Sequence, residues 1–146
     1  MEPPELTNFG SLVRHALRLE SAATAFYRAT ASKLGAGDAA GLFRELAGQH
    51  ETRRQLLERT RQQKLNEMVL EPISGLDGSR YVVDETPAGP SGVRALALAI
   101  EGVSMRFYHE SSAVARSFLT EATRTFDKLA EENARNVRRL EEALSA

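Results

Sequence analysis

One short phrase, Glu-x5-Phe-Tyr, occurs twice in this 146-residue chain, first from Glu20 to Tyr27 and again from Glu101 to Tyr108. Each copy lies on a segment whose apolar residues recur at the three- and four-residue spacing of a helix face. An acidic residue that returns at the same place on two apolar faces points to a buried, paired role. The chain must therefore fold so that two equivalent glutamates lie in its core.

The similarity continues on both sides of the phrase. Residues 13–34 resemble residues 94–115 at an offset of 81, and residues 42–58 resemble residues 125–141 at an offset of 83. Three pairs keep register in the second block: Phe43 with Phe126, Leu46 with Leu129, and Ala47 with Ala130. The sequence therefore predicts a duplicated helical hairpin.

Composition limits the class of protein and its partners. With 42% apolar and 27% charged residues, the chain is typical of one globular domain, taken as residues 1–146. A net charge of -1 gives no field suited to binding nucleic acid or anionic lipid. The absence of cysteine excludes disulfides, thiolate metal sites and a cysteine nucleophile within this sequence.

No segment has the pattern of a targeting or membrane-spanning sequence. The first five residues, Met1–Glu5, lack a basic stretch followed by an apolar stretch, and no apolar run approaches the length of a membrane span. The expectation is a cytoplasmic protein that does not insert into a membrane.

Capping and breaking residues divide the chain into two hairpins, about 7–70 and about 91–146, joined by a crossover at 71–90. The pattern predicts four helices: from Thr7 or Asn8 to Leu34, from Asp38 to about Met68, from a Ser91 cap to a break near Ser117–Thr120, and from there onward. The expected fold class is all-α, a four-helix bundle of two helical hairpins with a long crossover loop.

Each predicted helix has one core-forming face. These faces are Leu12, Ala16, Leu19, Glu20, Ala23, Tyr27, Ala31 and Leu34; Leu42, Leu46, His50, Arg53 and Leu57; Ala97, Glu101, Ser104, Tyr108 and Ala115; and Phe126, Leu129, Asn133, Asn136 and Leu140.

The crossover is rich in proline and glycine, which makes helix improbable from Glu71 to Pro90 and leaves Tyr81–Val83 as a candidate extended segment. Loops of this length are uncommon unless they have a task. The simplest task is to carry the chain along the bundle so that the second and third helices run parallel.

Bringing the four faces together places a polar cluster at the centre of the bundle. Its members are Glu20, His50, Arg53, Glu101, Asn133 and Asn136, with Tyr27 and Tyr108 one or two turns away. Because buried polar groups need partners, these side chains are the candidate site.

These residues resemble the rubrerythrin-like branch of the ferritin-like superfamily, whose members hold two irons between the helices of a duplicated hairpin. The resemblance covers about Val13 to Leu144 and is carried by the two Glu-x5-Phe-Tyr phrases, Leu42-Phe43…Leu46-Ala47 and Phe126…Leu129-Ala130-Glu131-Glu132. It implies one metal-binding glutamate on each of the first and third helices, which Glu20 and Glu101 match.

The remaining ligand positions depart from the family pattern. A Glu-x-x-His motif is expected at 50 and 53 and again at 133 and 136, where this chain has His50, Arg53, Asn133 and Asn136. Arginine cannot act as a ligand, and its charge repels a metal ion. The sequence therefore predicts a degenerate di-iron site with a buried Glu20–Arg53–Glu101 ion network, neutral when His50 is protonated.

The other candidate residues have ordinary structural interpretations. Tyr27 and Tyr108 are interpreted as core aromatics whose hydroxyls find hydrogen-bond partners. His15 lies beside the first core face and His109 lies off the third, so both are predicted to be surface residues of their helices.

Three functions stay open at this level. The first is a metal-free, non-catalytic or interaction protein without a cofactor. The second is a mononuclear iron or manganese oxidoreductase that uses Glu20, His50 and Glu101 as ligands. The third is a binder of a small anion at Arg53 in the bundle core. The resemblance also implies that two copies can pair as a homodimer through outer helix faces, and no protein partner is named by the sequence.

Overall fold

Four α-helices and one 3₁₀ helix make up the regular structure of the part of the chain that the structure describes. The computed structural model describes residues 1–63, 72–84, 89–116 and 120–144. The elements are α1 (Phe9–Leu34), α2 (Asp38–Gln63), a 3₁₀ helix (Gly78–Tyr81), α3 (Gly89–Ala115) and α4 (Thr120–Ala143). The predicted all-α class is confirmed.

The start of α1 follows the predicted capping pattern. Asn8 is the N-cap, and its side chain accepts a hydrogen bond of 2.8 Å from the backbone N–H of Ser11. The Ser11 hydroxyl in turn accepts from the backbone N–H of Asn8, so two otherwise unpaired groups are satisfied. At the other end Gly35 takes a positive φ of 75°, which a residue without a Cβ adopts without strain.

The helices pack as two hairpins that meet side by side. α1 packs along α2 and α3 along α4, while α1 meets α3 and α2 meets α4 across the bundle. The hydroxyl of Tyr27 on α1 donates to Glu101 on α3, and the hydroxyl of Tyr108 on α3 donates to Glu20 on α1. Because residue numbers rise along one helix as they fall along the other, α1 and α3 are antiparallel.

The same reasoning fixes the direction of α2 against α4. Arg139 bonds Glu45 and Asn136 bonds Gln49, so these two helices also run in opposite directions. Since α1 and α2 form an antiparallel pair across the short turn at 35–37, α2 and α3 run in the same direction. This is the arrangement that requires a long crossover between them.

The predicted core faces are buried with one exception. The side chains of Leu12, Leu19, Leu46, Leu57, Phe126 and Leu140 are at most 2% exposed. Leu34, predicted to lie in the core, is instead 47% exposed. It is the last residue of α1, next to the Gly35 turn.

The crossover differs from its prediction. Residues 78–81 form a 3₁₀ helix where no helix was expected, because the Asp77 side chain caps it by accepting from the backbone N–H of Ser79. Tyr81 belongs to this helix and is fully buried, while Val82, which follows the helix, takes the predicted extended conformation. The predicted continuation of the second helix to about Met68 lies outside the described residues.

The boundaries of the second hairpin also shift. α3 begins at Gly89, two residues before the predicted Ser91 cap, and Pro90 is accommodated because the first turn of a helix needs no backbone N–H partner. The predicted break near Ser117–Thr120 falls between the last residue of α3, Ala115, and the first of α4, Thr120, and residues 117–119 lie outside the described part.

Within the described residues, none of the helices combines the length and the apolar character that crossing a membrane requires.

Close packing between the crossover and the N-terminal segment gives a testable expectation. A Cβ added at Gly78 would lie 1.9 Å from the carbonyl oxygen of Pro4, which is backbone and cannot rotate away. We expect Gly78→Ala to lower the free energy of unfolding by about 1–3 kcal/mol in urea denaturation. As a matched control, Gly48→Ala in the middle of α2 meets nothing within 4 Å and should raise stability by up to about 1 kcal/mol. Equal effects of the two substitutions would contradict this packing.

Candidate functional site

The centre of the bundle holds eight polar side chains, and the structure brings all of them into one hydrogen-bonded cluster. α1 and α3 each contribute a glutamate and a tyrosine, α2 contributes a histidine and an arginine, and α4 contributes two asparagines. Their exposed fractions are 0–3%: Glu20, Tyr27, His50, Arg53, Glu101, Tyr108, Asn133 and Asn136. The cluster follows from the helical spacing, which puts each of these residues on a core face.

The duplication gives the cluster two equivalent tyrosine–glutamate pairs. The Tyr27 hydroxyl lies 2.7 Å from Oε2 of Glu101, and the Tyr108 hydroxyl lies 2.5 Å from Oε2 of Glu20. Burial, with the neighbouring carboxylates, raises the pKa of each phenol well above its ordinary value of 10. Both tyrosines are therefore neutral donors, and each repeat supplies the donor for the other repeat's acid.

His50 bridges the two glutamates. Its Nδ1 lies 2.5 Å from Oε1 of Glu20, and its Nε2 lies 2.7 Å from Oε2 of Glu101. A carboxylate can only accept, so both ring nitrogens must carry hydrogen, which makes the ring an imidazolium. Burial by itself lowers the pKa of His50, but the two carboxylates outweigh it and raise this pKa from 6.5 to about 9. Geometry and electrostatics agree that His50 is a buried cation.

Arg53 supplies the second cation but not the predicted bridge. Its Nε and Nη2 lie 3.2 and 3.0 Å from Oε2 of Glu20. Nη2 also donates to Oδ1 of Asn133 at 3.0 Å, and Nη1 lies 3.4 Å from the half-buried Glu132. The guanidinium reaches Glu101 only through the amide of Asn133. The predicted Glu–Arg–Glu connection is therefore corrected, since histidine is the residue in contact with both acids.

The second oxygen of Glu101 is held by α4. The amide nitrogens of Asn133 and Asn136 lie 2.8 and 3.0 Å from Oε1 of Glu101, while His50 and Tyr27 donate to its Oε2. Burial alone would raise the pKa of Glu101, but these donors and the nearby cations lower it to about 2. Glu101 is ionised and its two oxygens each accept two hydrogen bonds.

Glu20 also accepts hydrogen bonds at both of its oxygens. His50 donates to its Oε1, and Arg53 and Tyr108 donate to its Oε2. Its pKa is lowered, because Arg53 and His50 together overcome the opposing effect of complete burial. Two carboxylates, one imidazolium and one guanidinium give the cluster a net charge of zero, which is the condition for burying four ions together.

The donor set does not fit a metal ion. In the alternative ligand set of Glu20, His50 and Glu101, the imidazole has no free lone pair because both nitrogens donate to carboxylates. Each carboxylate oxygen already accepts from an N–H or O–H group. Among the residues that the structure describes, there is no group of three or more His, Asp or Glu side chains arranged to hold a metal.

Two residues that contact the buried cluster from its edge, and lie outside its charge count, escaped the sequence analysis. Gln49 accepts a hydrogen bond of 2.5 Å from Asn136, and Glu132 accepts from Arg53. Each one directly precedes a predicted core position, so it lies at the edge of its helix face. Helical spacing excludes such edge residues, and only the approach of a partner helix shows that they take part.

His15 was predicted at the surface and is fully buried instead. Its Nε2 lies 2.6 Å from the carbonyl oxygen of Tyr81, and its ring meets Phe107 edge to face at 5.2 Å. The crossover folds over this part of α1, which the helical pattern alone could not indicate. Burial, together with the nearby Arg18, lowers the pKa of His15, so the ring is neutral and donates to the crossover. His109 is exposed, as predicted.

Comparison with models of known protein families and with curated proteins gives no match for this chain.

Proposed function

We propose that this protein is a ferritin-like bundle in which side-chain cations replace the metal ions, and that it acts as a metal-independent, non-catalytic scaffold or interaction protein. The observation that carries the proposal is the position of His50, whose imidazolium lies between Glu20 and Glu101 and bonds both. In this interpretation, the imidazolium of His50 occupies the space that a di-metal centre would take between the paired glutamates.

The helix directions support the ferritin-like part of the proposal. α1 is antiparallel to both α2 and α3, and the long crossover joins two parallel helices, which is an arrangement used by ferritin-like folds. The duplicated phrase adds to this, because its two glutamates face each other at one level of the bundle. The resemblance then assigns positions 50, 53, 133 and 136 to the lost ligands.

Charge balance supports the metal-independent part. Four carboxylates in a low-dielectric core need divalent cations, whereas two carboxylates are balanced by one imidazolium and one guanidinium. Asn133 and Asn136 complete the exchange, since each is a neutral donor to Glu101 where the family pattern has a glutamate and a histidine. The substitutions form a consistent set, because every one of them removes the need for a metal.

The two alternative functions have less support. A mononuclear metal site on Glu20, His50 and Glu101 would have to deprotonate and reorient a ring that is bonded at both nitrogens. A small anion at Arg53 would have to displace Glu20, Glu132 and Asn133 from the guanidinium. Both therefore require the breaking of contacts that the cluster already makes.

Metal uptake tests the proposal directly. Protein purified from iron- and manganese-supplemented cells should contain less than about a tenth of an equivalent of either metal, because all ligand positions are taken by hydrogen bonds. The fourfold variant His50→Glu, Arg53→His, Asn133→Glu and Asn136→His restores the family pattern and should bind about two equivalents of Co²⁺, visible in its absorption spectrum.

The control variant carries glutamine at the same four positions, which removes the cations without adding carboxylate or imidazole ligands. It should bind almost no Co²⁺. One or more equivalents of iron or manganese in the unaltered protein would overturn the metal-independent function. A fourfold variant that folds, by circular dichroism, yet binds no cobalt would instead overturn the assignment of this cluster to a ferritin-like metal position.

A further inference from the structure

The crossover fills a groove between α1 and α3 at one end of the bundle. Tyr81 is fully buried there: its carbonyl oxygen accepts from His15, and its ring lies 5.5 Å from Phe107. Its hydroxyl donates to Glu110 at 2.7 Å, and Arg106 donates to the carbonyl oxygen of the preceding Arg80. One end of the α1–α3 seam is thus closed by an aromatic residue from the chain itself.

The internal repeat creates an equivalent groove at the other end of the seam. The offset of 81 between α1 and α3 relates His15 to Leu96, Phe107 to Phe26, Glu110 to Ala29 and Arg106 to Ala25. All four counterparts line one cavity of about 450 Å³. The residues that hold the crossover at one end therefore have partners that surround a cavity at the other end, and this cavity is of the size that binds small ligands.

The chemistry of the second groove differs from that of the first. Where the filled groove has a histidine, an arginine and a glutamate to hold a peptide, the cavity has Leu96, Ala25 and Ala29, which offer no hydrogen bonds. A peptide segment like 80–81 would lose its anchors there. Thr30 adds one hydroxyl and Val83 of the crossover borders the cavity, but apart from Lys33 the rest of the described lining is apolar. The buried part of an occupant should therefore be mainly hydrocarbon.

One end of the cavity carries a charge. Lys33 is the only charged residue among the described residues that line it, and it lies in the last turn of α1 beside Leu34. Leu34 is 47% exposed at this edge, and Phe26 is only partly buried. The cavity thus offers an apolar lining with a single positive group at its end.

We propose that this cavity binds a small amphipathic carboxylate, with its hydrocarbon chain against Phe26, Leu96 and Ile100 and its carboxylate at Lys33. The site is separate from the central ion cluster, and it does not depend on the function proposed above. Its ligand is of the fatty-acid class, because the described lining is apolar apart from the hydroxyl of Thr30 and the ammonium group of Lys33.

Titration of the 146-residue protein with decanoate, followed by ¹H–¹⁵N NMR, tests this site. We expect saturable shifts centred on the amides of Phe26, Leu96 and Ile100. Lys33→Met should weaken decanoate binding about two- to fivefold, as for a partly exposed ion pair, and should leave the binding of neutral 1-decanol unchanged. Ala29→Trp should fill the cavity and weaken the binding of both decanoate and 1-decanol at least about tenfold.

Ala29 is exposed, so its replacement is not expected to unfold the bundle, and a thermal melt checks this. Ala113→Trp, at an exposed position of α3 outside the cavity, is the matched control and should bind decanoate as the unaltered protein does. Unchanged binding in Ala29→Trp, or an equal loss in Ala113→Trp, would overturn the site. Equal effects of Lys33→Met on decanoate and decanol would overturn the carboxylate as the recognised group.

Discussion

Replacing Arg53 by methionine is expected to lower the free energy of unfolding by about 3–5 kcal/mol. Methionine keeps much of the apolar stem but removes the guanidinium that bonds Glu20 and Asn133. The cluster would then hold two buried carboxylates against one imidazolium, with a net charge of -1 in a low-dielectric core. Urea denaturation at pH 7, with an unchanged m-value, measures the loss.

A neighbouring arginine provides the control. Arg54, the next residue on α2, pairs with Glu51 on the same helix, and both side chains are about one-third exposed. Arg54→Met should be nearly neutral, because exposed ion pairs of this kind contribute little. A similar small effect for Arg53→Met would mean that the buried network does not carry the charge balance described above.

A second substitution should restore part of the lost stability. In Arg53→Met combined with Glu20→Gln, the remaining Glu101 and His50 again sum to zero charge, so the double variant should be more stable than Arg53→Met alone. The double-mutant cycle isolates this coupling from the packing change. Additive effects of the two substitutions would show that Glu20 and Arg53 do not interact.

Stability should also fall as the pH rises from 6.5 to about 9, by roughly 3 kcal/mol in total. The pKa of His50 is 6.5 when unpaired and about 9 in the folded protein, so the folded state holds a proton that the unfolded state releases in this interval. The stabilisation is complete below pH 6.5 and is lost as the pH passes through about 9. The charged groups packed around His50 are Glu20 on α1, Glu101 on α3 and Arg53 on α2.

The measurement is a series of urea denaturations between pH 6 and 9.5. In the same range, ¹⁵N NMR of the imidazole should show both nitrogens of His50 still protonated at pH 8. His109→Gln, at an exposed position of α3, is the control substitution. A flat stability profile between pH 6.5 and 9 would exclude a bridging imidazolium.

His15 should make the free energy of unfolding depend on pH in the opposite direction, below pH 6.5. Its pKa is lowered by burial, so below pH 6.5 the unfolded state takes up a proton that the folded state resists, and stability falls as the pH decreases. The two buried histidines together place the stability maximum near pH 6.5. The two histidines both lie on amphipathic helices, so the sequence alone does not show that their pKa values shift in opposite directions.

The helical bundle was readable from the sequence because its periodicity is local. Apolar residues at three- and four-residue spacing predicted the core faces, and Asn8 was correctly predicted as a possible cap for α1. Errors arose where another segment decides the outcome. The 3₁₀ helix at 78–81 combines a local Asp77 cap with burial of Tyr81 beside His15 of α1 and Phe107 of α3, and only the second of these depends on other segments. Helical spacing likewise did not indicate that Leu34, at the end of α1, is exposed.

The sequence by itself determined that two equivalent glutamates, Glu20 and Glu101, occupy the core faces of two repeated helices, because residue spacing and duplication are properties of the chain. Only the tertiary structure decided what meets them. Contacts between helices depend on which rotamers reach across the bundle, and these place His50 on both acids and Arg53 on one. The same packing closes one end of the α1–α3 seam with Tyr81, whereas at the equivalent end the repeated positions line a cavity that Val83 of the crossover also borders.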